Sequence, residues 1–242
     1  MRRLRKLVSV SRSGRWLWAL RLGVVAGVEH QLVLRTLGDI RTVLDVGANR
    51  GQFALAARRC FPDARIVSFE PLPGPAGIFG RVFSRDPGVI LHRAAIGPEA
   101  DETVIHVSAR DDSSSLLPIT AVQDRLFPGT GEVGTQTVRV GRLGDFVTGD
   151  DIVPPALLKL DVQGFELEAL KGCEELLHRF GWVYAECSFV ELYEGQALAD
   201  EVIAWLREHG FLLGGVYHMA YDAQGKAIQA DFLFCSNSSQ PR

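Results

Sequence analysis

Asp45, Glu70, Asp161 and Glu186 each lie at or near the end of a short apolar run in this 242-residue chain. A carboxylate set against a buried strand is costly unless it is paired or used, so four at corresponding places point to a site rather than to scattered surface acids. The first lies in Leu44-Asp-Val-Gly-Ala-Asn-Arg-Gly51, where glycine lets a ligand come close to the backbone because no Cβ intervenes. Glu70 follows Asp45 by 25 positions and can accept hydrogen bonds from ribose hydroxyls. The spacing Gly47-x-x-x-Gly51 is not the Gly-x-Gly-x-x-Gly that seats a dinucleotide pyrophosphate. A nucleoside whose tail is an amino acid, S-adenosylmethionine, is the ligand these residues imply.

The second constellation is Lys159-Leu-Asp161-Val-Gln-Gly164-Phe-Glu166. Its strand delivers Asp161 to the sheet edge, and Gly164 turns the chain into a helix. Glu166 and Glu168 fall in the first helical turn, where the dipole favours acids, so Glu166 reads as structural. Lys159 lies inside the strand and needs a partner, with Glu186 and Glu70 as the candidates. Asp111-Asp-Ser-Ser-Ser115 reads by spacing alone as a solvated turn. His30, His178 and His209 read as ordinary arm or surface residues, whereas His92 and His106 lie near central strands and could reach the cleft. No His-x-x-x-His or His/Cys spacing supports zinc, so no metal ligand set is assigned, and the four scattered cysteines read as reduced thiols.

These residues must be positioned by alternating elements. Strands are predicted near 41–46, 65–70, 88–93, 156–161, 182–187, 211–217 and 228–235. Helices are predicted near 51–60, 74–84, 165–178 and 198–209. Such alternation predicts an α/β fold with a mostly parallel seven-stranded sheet covered on both faces. Tyr221-Asp-Ala-Gln-Gly225 is a hairpin signal, so one edge strand should run antiparallel. Residues 101–150 break the alternation with two strand-like segments and read as a β-containing insertion after the third strand, placed where a substrate lid would be built. Residues 1–38 read as a helical N-terminal arm and 39–242 as the main domain.

Net charge is −3, yet residues 1–28 carry seven basic side chains and no acid, which leaves −10 on the rest. An acidic body argues against nucleic acid as a partner. The arm's Trp16, Trp18 and leucines suit either a helix docked on the domain, the favoured reading, or peripheral contact with an anionic membrane. Trp16 to Gly27 is too short to span a bilayer and Ala26-Gly27 is a poor cleavage site, so a cytoplasmic location, with or without membrane association, is expected.

Taken together, the motifs resemble the FkbM family of S-adenosylmethionine-dependent methyltransferases over about Ile40 to Phe234. The resemblance rests on Val43-Leu-Asp-Val-Gly-Ala-Asn-Arg-Gly-Gln-Phe53, Ser68-Phe-Glu-Pro71, Ala94-Ala-Ile-Gly97, Ser113-Ser-Ser-Leu116, Leu158-Lys-Leu-Asp-Val-Gln-Gly-Phe-Glu166 and Ala185-Glu-Cys-Ser188. It implies a Rossmann-like class I methyltransferase fold and O-methylation of a sugar, glycolipid or secondary-metabolite hydroxyl. Cofactor contacts are expected at Asp45, Gly47, Asn49, Gly51, Glu70, Pro71, Ala94, Ala95 and Asp161. Ser113, Ser114 and Ser115 are expected near the acceptor. Tyr193, just past the fifth strand, could pack on a sugar face or in the core. Two departures stand out: Gln163 replaces a Glu that many relatives carry, and Arg93-Ala94-Ala95 lacks the acid or Asn that often holds adenine, which leaves backbone groups to do so.

Methyl transfer is an in-line displacement, and holding a hydroxyl in line can supply an effective molarity of roughly 10⁵ to 10⁸ M. An alcohol also needs its proton removed. Asp161 is expected to be that base or to lie closest to it, with Glu186 orienting the acceptor. A second route has both carboxylates ligating Mg²⁺. Competing readings are a nucleic-acid or protein methyltransferase and a non-catalytic cofactor-binding module. A dehydrogenase is disfavoured by the glycine spacing.

Overall fold

The computed structural model describes residues 14–237. Its strands are, in chain order, β1 (Thr42–Val46), β2 (Arg65–Phe69), β3 (Val89–His92), β4 (Ala95–Ile96) and β5 (Asp101–Ser108), followed by β6 (Glu132–Gly141), β7 (Ala156–Leu160), β8 (Trp182–Ser188), β9 (Phe211–Tyr221) and β10 (Ala227–Ser236). The helices are α1 (Gly14–Arg21), α2 (Gln31–Leu34), α3 (Gln52–Cys60) and α4 (Pro73–Val82), then α5 (Ala121–Leu126), α6 (Glu166–Cys173) and α7 (Ala199–Glu208).

Seven strands form the main sheet in the order β3-β2-β1-β7-β8-β10-β9. β1 and β7 are buried at every position, as strands covered on both faces must be. The edge hairpin brings in the antiparallel strand: β10 runs against both β8 and β9 and sits one place in from the rim. The order reverses between β1 and β7, which opens a crevice beyond their carboxyl ends.

Strand periodicity of two sorts the core. Leu44, Val46, Leu158 and Leu160 face the layer that contains α6 and α7. Val43, Leu157 and Tyr184 face α1, α2 and α3, and Asp45 and Lys159 share that side by the same alternation. The arm is docked there: Trp16 is 2% exposed and donates from Nε1 to Leu55 O, Trp18 donates to Arg81 O, and Arg15 pairs with Asp86 at 3.0 Å. The rest of the basic run, Arg2 to Arg12, lies outside the described residues. Among those that are described, no helix is long and apolar enough to cross a membrane.

After β3 the chain leaves the main sheet and builds a second, three-stranded sheet in the order β4-β6-β5. Single bridges, His106 to Ser115 and Ile119 to Tyr193, knit the turn-rich part of this excursion to its own sheet and to the segment after β8.

Candidate active site

The loop after β1 is shaped by close approach. Gly47 has φ +81°, and a Cβ there would overlap the Asp161 carbonyl. Gly47 and Ala48 donate their N–H groups to Phe69 O, which locks the loop to the end of β2. Asn49, at φ +46°, offers Oδ1 to Arg50 N and Gln52 Nε2. Gly51 caps α3 at φ +94°, and a side chain there would strike the Phe79 and Phe83 rings.

Glu70 accepts the Asn49 N–H at 2.9 Å on one oxygen and the Leu72 N–H at 2.8 Å on the other. Each oxygen keeps a free lone pair for a ribose hydroxyl. Burial pushes this carboxyl up to about 7, against the pull of the two amides.

Asp45 is wholly buried, with Oδ1 3.2 Å from Lys159 Nζ. The two residues are register partners on neighbouring strands, so their side chains meet on one face. Lys159 also donates to Gly47 O at 3.1 Å and lies 3.6 Å from Asp161 Oδ2. Its partners are thus Asp45 and Asp161, not the expected Glu186 or Glu70: Asp45 is its register partner on β1, and Asp161 lies two residues on along the same face. Burial lowers the affinity of Lys159 for its proton, but the two carboxylates more than reverse this and hold the ammonium charged. Burial pushes the Asp45 carboxyl up, opposed by Lys159.

A cavity of about 280 Å³ opens over these elements. Of the expected contact residues, Gly47, Asn49, Glu70, Pro71, Ala95, Asp161, Ser114 and Ser115 line it, together with Phe69, Ile96, Gln52, Phe53, Lys159 and Gln163. Asp45, Gly51, Ala94, Ser113, Glu186 and Tyr193 stand behind the wall rather than in it. Ala94 is buried, and Ser113 offers its carbonyl to the Tyr193 hydroxyl at 3.1 Å.

Gln163 joins the two central acids. Its Nε2 donates to Asp161 Oδ1 at 2.8 Å and to Glu186 Oε2 at 3.0 Å, and its Oε1 lies 2.7 Å from the Tyr193 hydroxyl. Gln229 donates to the other Glu186 oxygen at 2.9 Å. Burial, then the charge of Asp161, raises the Glu186 carboxyl well above its ordinary range. An amide N–H₂ between the two carboxylates is not the oxygen shell Mg²⁺ takes, so the pair is not arranged as ligands for that ion. Glu166 is structural, as expected: its Oε1 accepts from Val162 N and Gly164 N.

The excursion closes the cavity from above. Ser115 Oγ donates to Gln163 O at 2.6 Å and accepts from Leu117 N. Arg50, from the glycine loop, reaches Asp111 with two donors at 2.6 and 3.0 Å. Sequence reading passed over this clasp, since nothing in spacing joins residues 61 positions apart.

The histidines also sort differently. His92 stacks on Phe69, and His106 pairs with Glu132 on the small sheet; neither lines the cavity. His30 does line it, contrary to expectation: the 3-10 turn Val28–His30 just before α2 sets its ring against Phe53 of α3 and Tyr184 of β8.

The residues present fit S-adenosylmethionine. Glu70 and the apolar Phe69 and Ile96 suit a nucleoside. Gln52 Oε1 is buried with no partner among the described residues, an acceptor suited to the ammonium of an amino-acid tail.

A family model described as the methyltransferase FkbM domain matches residues 45–213. The chain is 29% identical to the 31-O-demethyl-FK506 methyltransferase FkbM of Streptomyces tacrolimicus over 208 residues, 76% of each chain. It is 29% identical to the 2-O-methyltransferase NoeI of Sinorhizobium fredii, covering 70% of this chain and 72% of that one. It is 25% identical to the hexuronic acid methyltransferase AglP of Haloferax volcanii, covering 76% and 74%. With the strand order, the glycine loop and the carboxylates of β2 and β7 in the places this chemistry needs, the chain belongs to the FkbM family and is an S-adenosylmethionine-dependent methyltransferase.

Proposed function

We propose that the chain methylates a hydroxyl group on a sugar, glycolipid or secondary metabolite. The observation that carries this reading is Asp161: a carboxylate in the cavity wall, one strand from the glycine loop, held by Gln163 and Lys159. When bound, S-adenosylmethionine supplies an activated methyl group, which leaves alignment and proton removal to the protein. Glu70 and Pro71 hold the nucleoside end, and Gly47, Gln52 and Lys159 border its tail. Asp161 accepts the hydrogen bond of the acceptor hydroxyl and fixes its direction of approach. Glu186 does not reach the cavity and acts through Gln163, keeping Asp161 in place. The names of the relatives favour an oxygen acceptor: one is a 2-O-methyltransferase, one a methyltransferase of 31-O-demethyl-FK506 and one a hexuronic acid methyltransferase.

Labelled S-adenosylmethionine incubated with glycan and glycolipid extracts, with products read by mass spectrometry, tests this. Label on a hydroxyl is expected. Asp161→Asn should lower kcat about 100-fold, the lower range for a positioned acid or base, while cofactor affinity stays within a few fold. Full turnover by that variant would remove Asp161 from the reaction.

A further inference from the structure

Helix α1 packs one side on the domain and leaves the other bare. Trp16 and Ala19 are buried against it. Leu17, Leu20 and Arg21 recur at the i, i+3, i+4 spacing of a shared outer face, and the two leucines are 46% and 38% exposed. Trp18 is 44% exposed, and its Nε1 is already bonded to Arg81 O, so the bare part of its ring is purely apolar. Val25 and Leu32, further along the arm, are exposed as well. Large apolar side chains gathered on so short a stretch, among basic ones, are the composition of a contact surface.

Beside this face lies a groove of about 570 Å³ between α1 and the end of α4, lined by Arg15, Trp18, Arg21, Ser84, Arg85 and Asp86. Asp86 does not neutralise it, because the buried Arg58 already holds that carboxylate at 2.8 Å, with Arg15 at 3.0 Å on the same oxygen. Arg21 and Arg85 are exposed and make no ion pair with any described residue. Guanidinium groups around a groove with a tryptophan ring at its side suit the phosphate of a lipid headgroup.

The charge of the chain selects the same partner. Residues 1–28 carry seven basic side chains and no acid, against −10 on the rest. An anionic surface therefore attracts the arm and repels the body, which turns this face toward it. A second copy laid arm to arm would set like charges together, which disfavours it as the occupant.

We propose that α1 and the groove beside it dock the protein on an anionic phospholipid bilayer. Leu17, Trp18 and Leu20 enter the headgroup layer, and Arg15, Arg21 and Arg85 take lipid phosphates. Further along the same arm, Glu29 and His30 line the cavity, so one short stretch of chain joins the docking face to the site. The docking is independent of which acceptor is methylated, and its test needs no turnover.

Flotation of the full chain with vesicles provides that test. Binding to phosphatidylcholine vesicles with about a third phosphatidylglycerol should be tighter by about tenfold or more than to phosphatidylcholine alone, and should weaken as salt rises. Leu17→Ser with Leu20→Ser, and separately Arg21→Gln with Arg85→Gln, should each cost about tenfold in affinity. All four side chains are exposed, so the melting temperature should hold in both variants. Full binding by either variant would overturn the assignment of this face, even if the basic residues before Gly14 still held the vesicles. A melting temperature lower by about 5 °C or more in the leucine variant would show that the leucines are covered in solution, by a second copy or by the chain before Gly14, and would also overturn it. So would equal binding to neutral vesicles, or displacement by inorganic phosphate at fixed ionic strength, which would make the groove a site for soluble phosphate.

Discussion

The tightest constraint at the scale of single residues is Gly47. Its positive φ already disfavours a side chain, and a Cβ would occupy the space of the Asp161 carbonyl, which is backbone and cannot swing away. The loop and the strand that carries Asp161 are thereby set against each other with nothing between them. Gly47→Ala is expected to lose measurable cofactor binding and to lower stability by about 3 kcal/mol, the upper end of the range for strain at such a site. Calorimetry and thermal melts would check this; near-native binding would show that the two strand ends can separate cheaply. Glycine at this position was legible in the sequence as a site of close approach. What it approaches, the end of a strand more than a hundred residues later, was not.

At the scale of elements, the excursion after β3 is tied down at two points. Ser115 bonds the loop after β7, and Arg50 grips Asp111 from the glycine loop. Both ties join the roof of the cavity to its floor, which supports reading this segment as a lid. Arg50→Ala removes a partly exposed charge pair, which costs stability little because water screens it. Its effect should fall on the site instead: cofactor dissociation faster by about tenfold with the melting temperature nearly unchanged, a coupling of about 1.4 kcal/mol. Stopped-flow displacement would measure it, and an unchanged off-rate would mean that the roof does not retain the ligand. In the sequence, 101–150 stood out only by interrupting the alternation of strand and helix. Its sheet order, and the serines' use as tethers rather than as a plain turn, depend on partners remote in the chain.

For the molecule as a whole, buried acids set the response to pH. Burial pushes the Glu166 carboxyl from its usual 4.5 to about 7, even though it accepts two backbone N–H groups. The folded state then holds a proton that the unfolded chain has released between those values. Its stabilising contribution is complete below about 4.5 and is lost as the pH rises through 7, a change of about 3 kcal/mol by linkage. Glu166→Gln keeps an oxygen acceptor for Val162 and Gly164 but has no proton to lose. Without added cofactor, the loss of stability between pH 5.5 and pH 8 should shrink by about 2 kcal/mol in urea titrations. An unchanged slope would show that Glu166 ionises as freely in the fold as out of it.

The sequence by itself determined the sheet, the positions of its strands, the glycine loop and the carboxylates of β2 and β7. These follow from local rules: apolar periodicity, glycine where the backbone must turn or be approached, and acids at the ends of buried runs. Only the tertiary structure decided which of those groups face the cavity. Register between β1 and β7 gave Lys159 to Asp45 and Asp161. The Gln163 amide joined Asp161 to Glu186 and set Glu186 behind the wall. The fold of the arm brought His30, unremarkable by any local rule, into the cavity wall. Pairing across strands and packing between distant segments are not written in spacing along the chain, because they depend on which faces meet once the hydrophobic layers close.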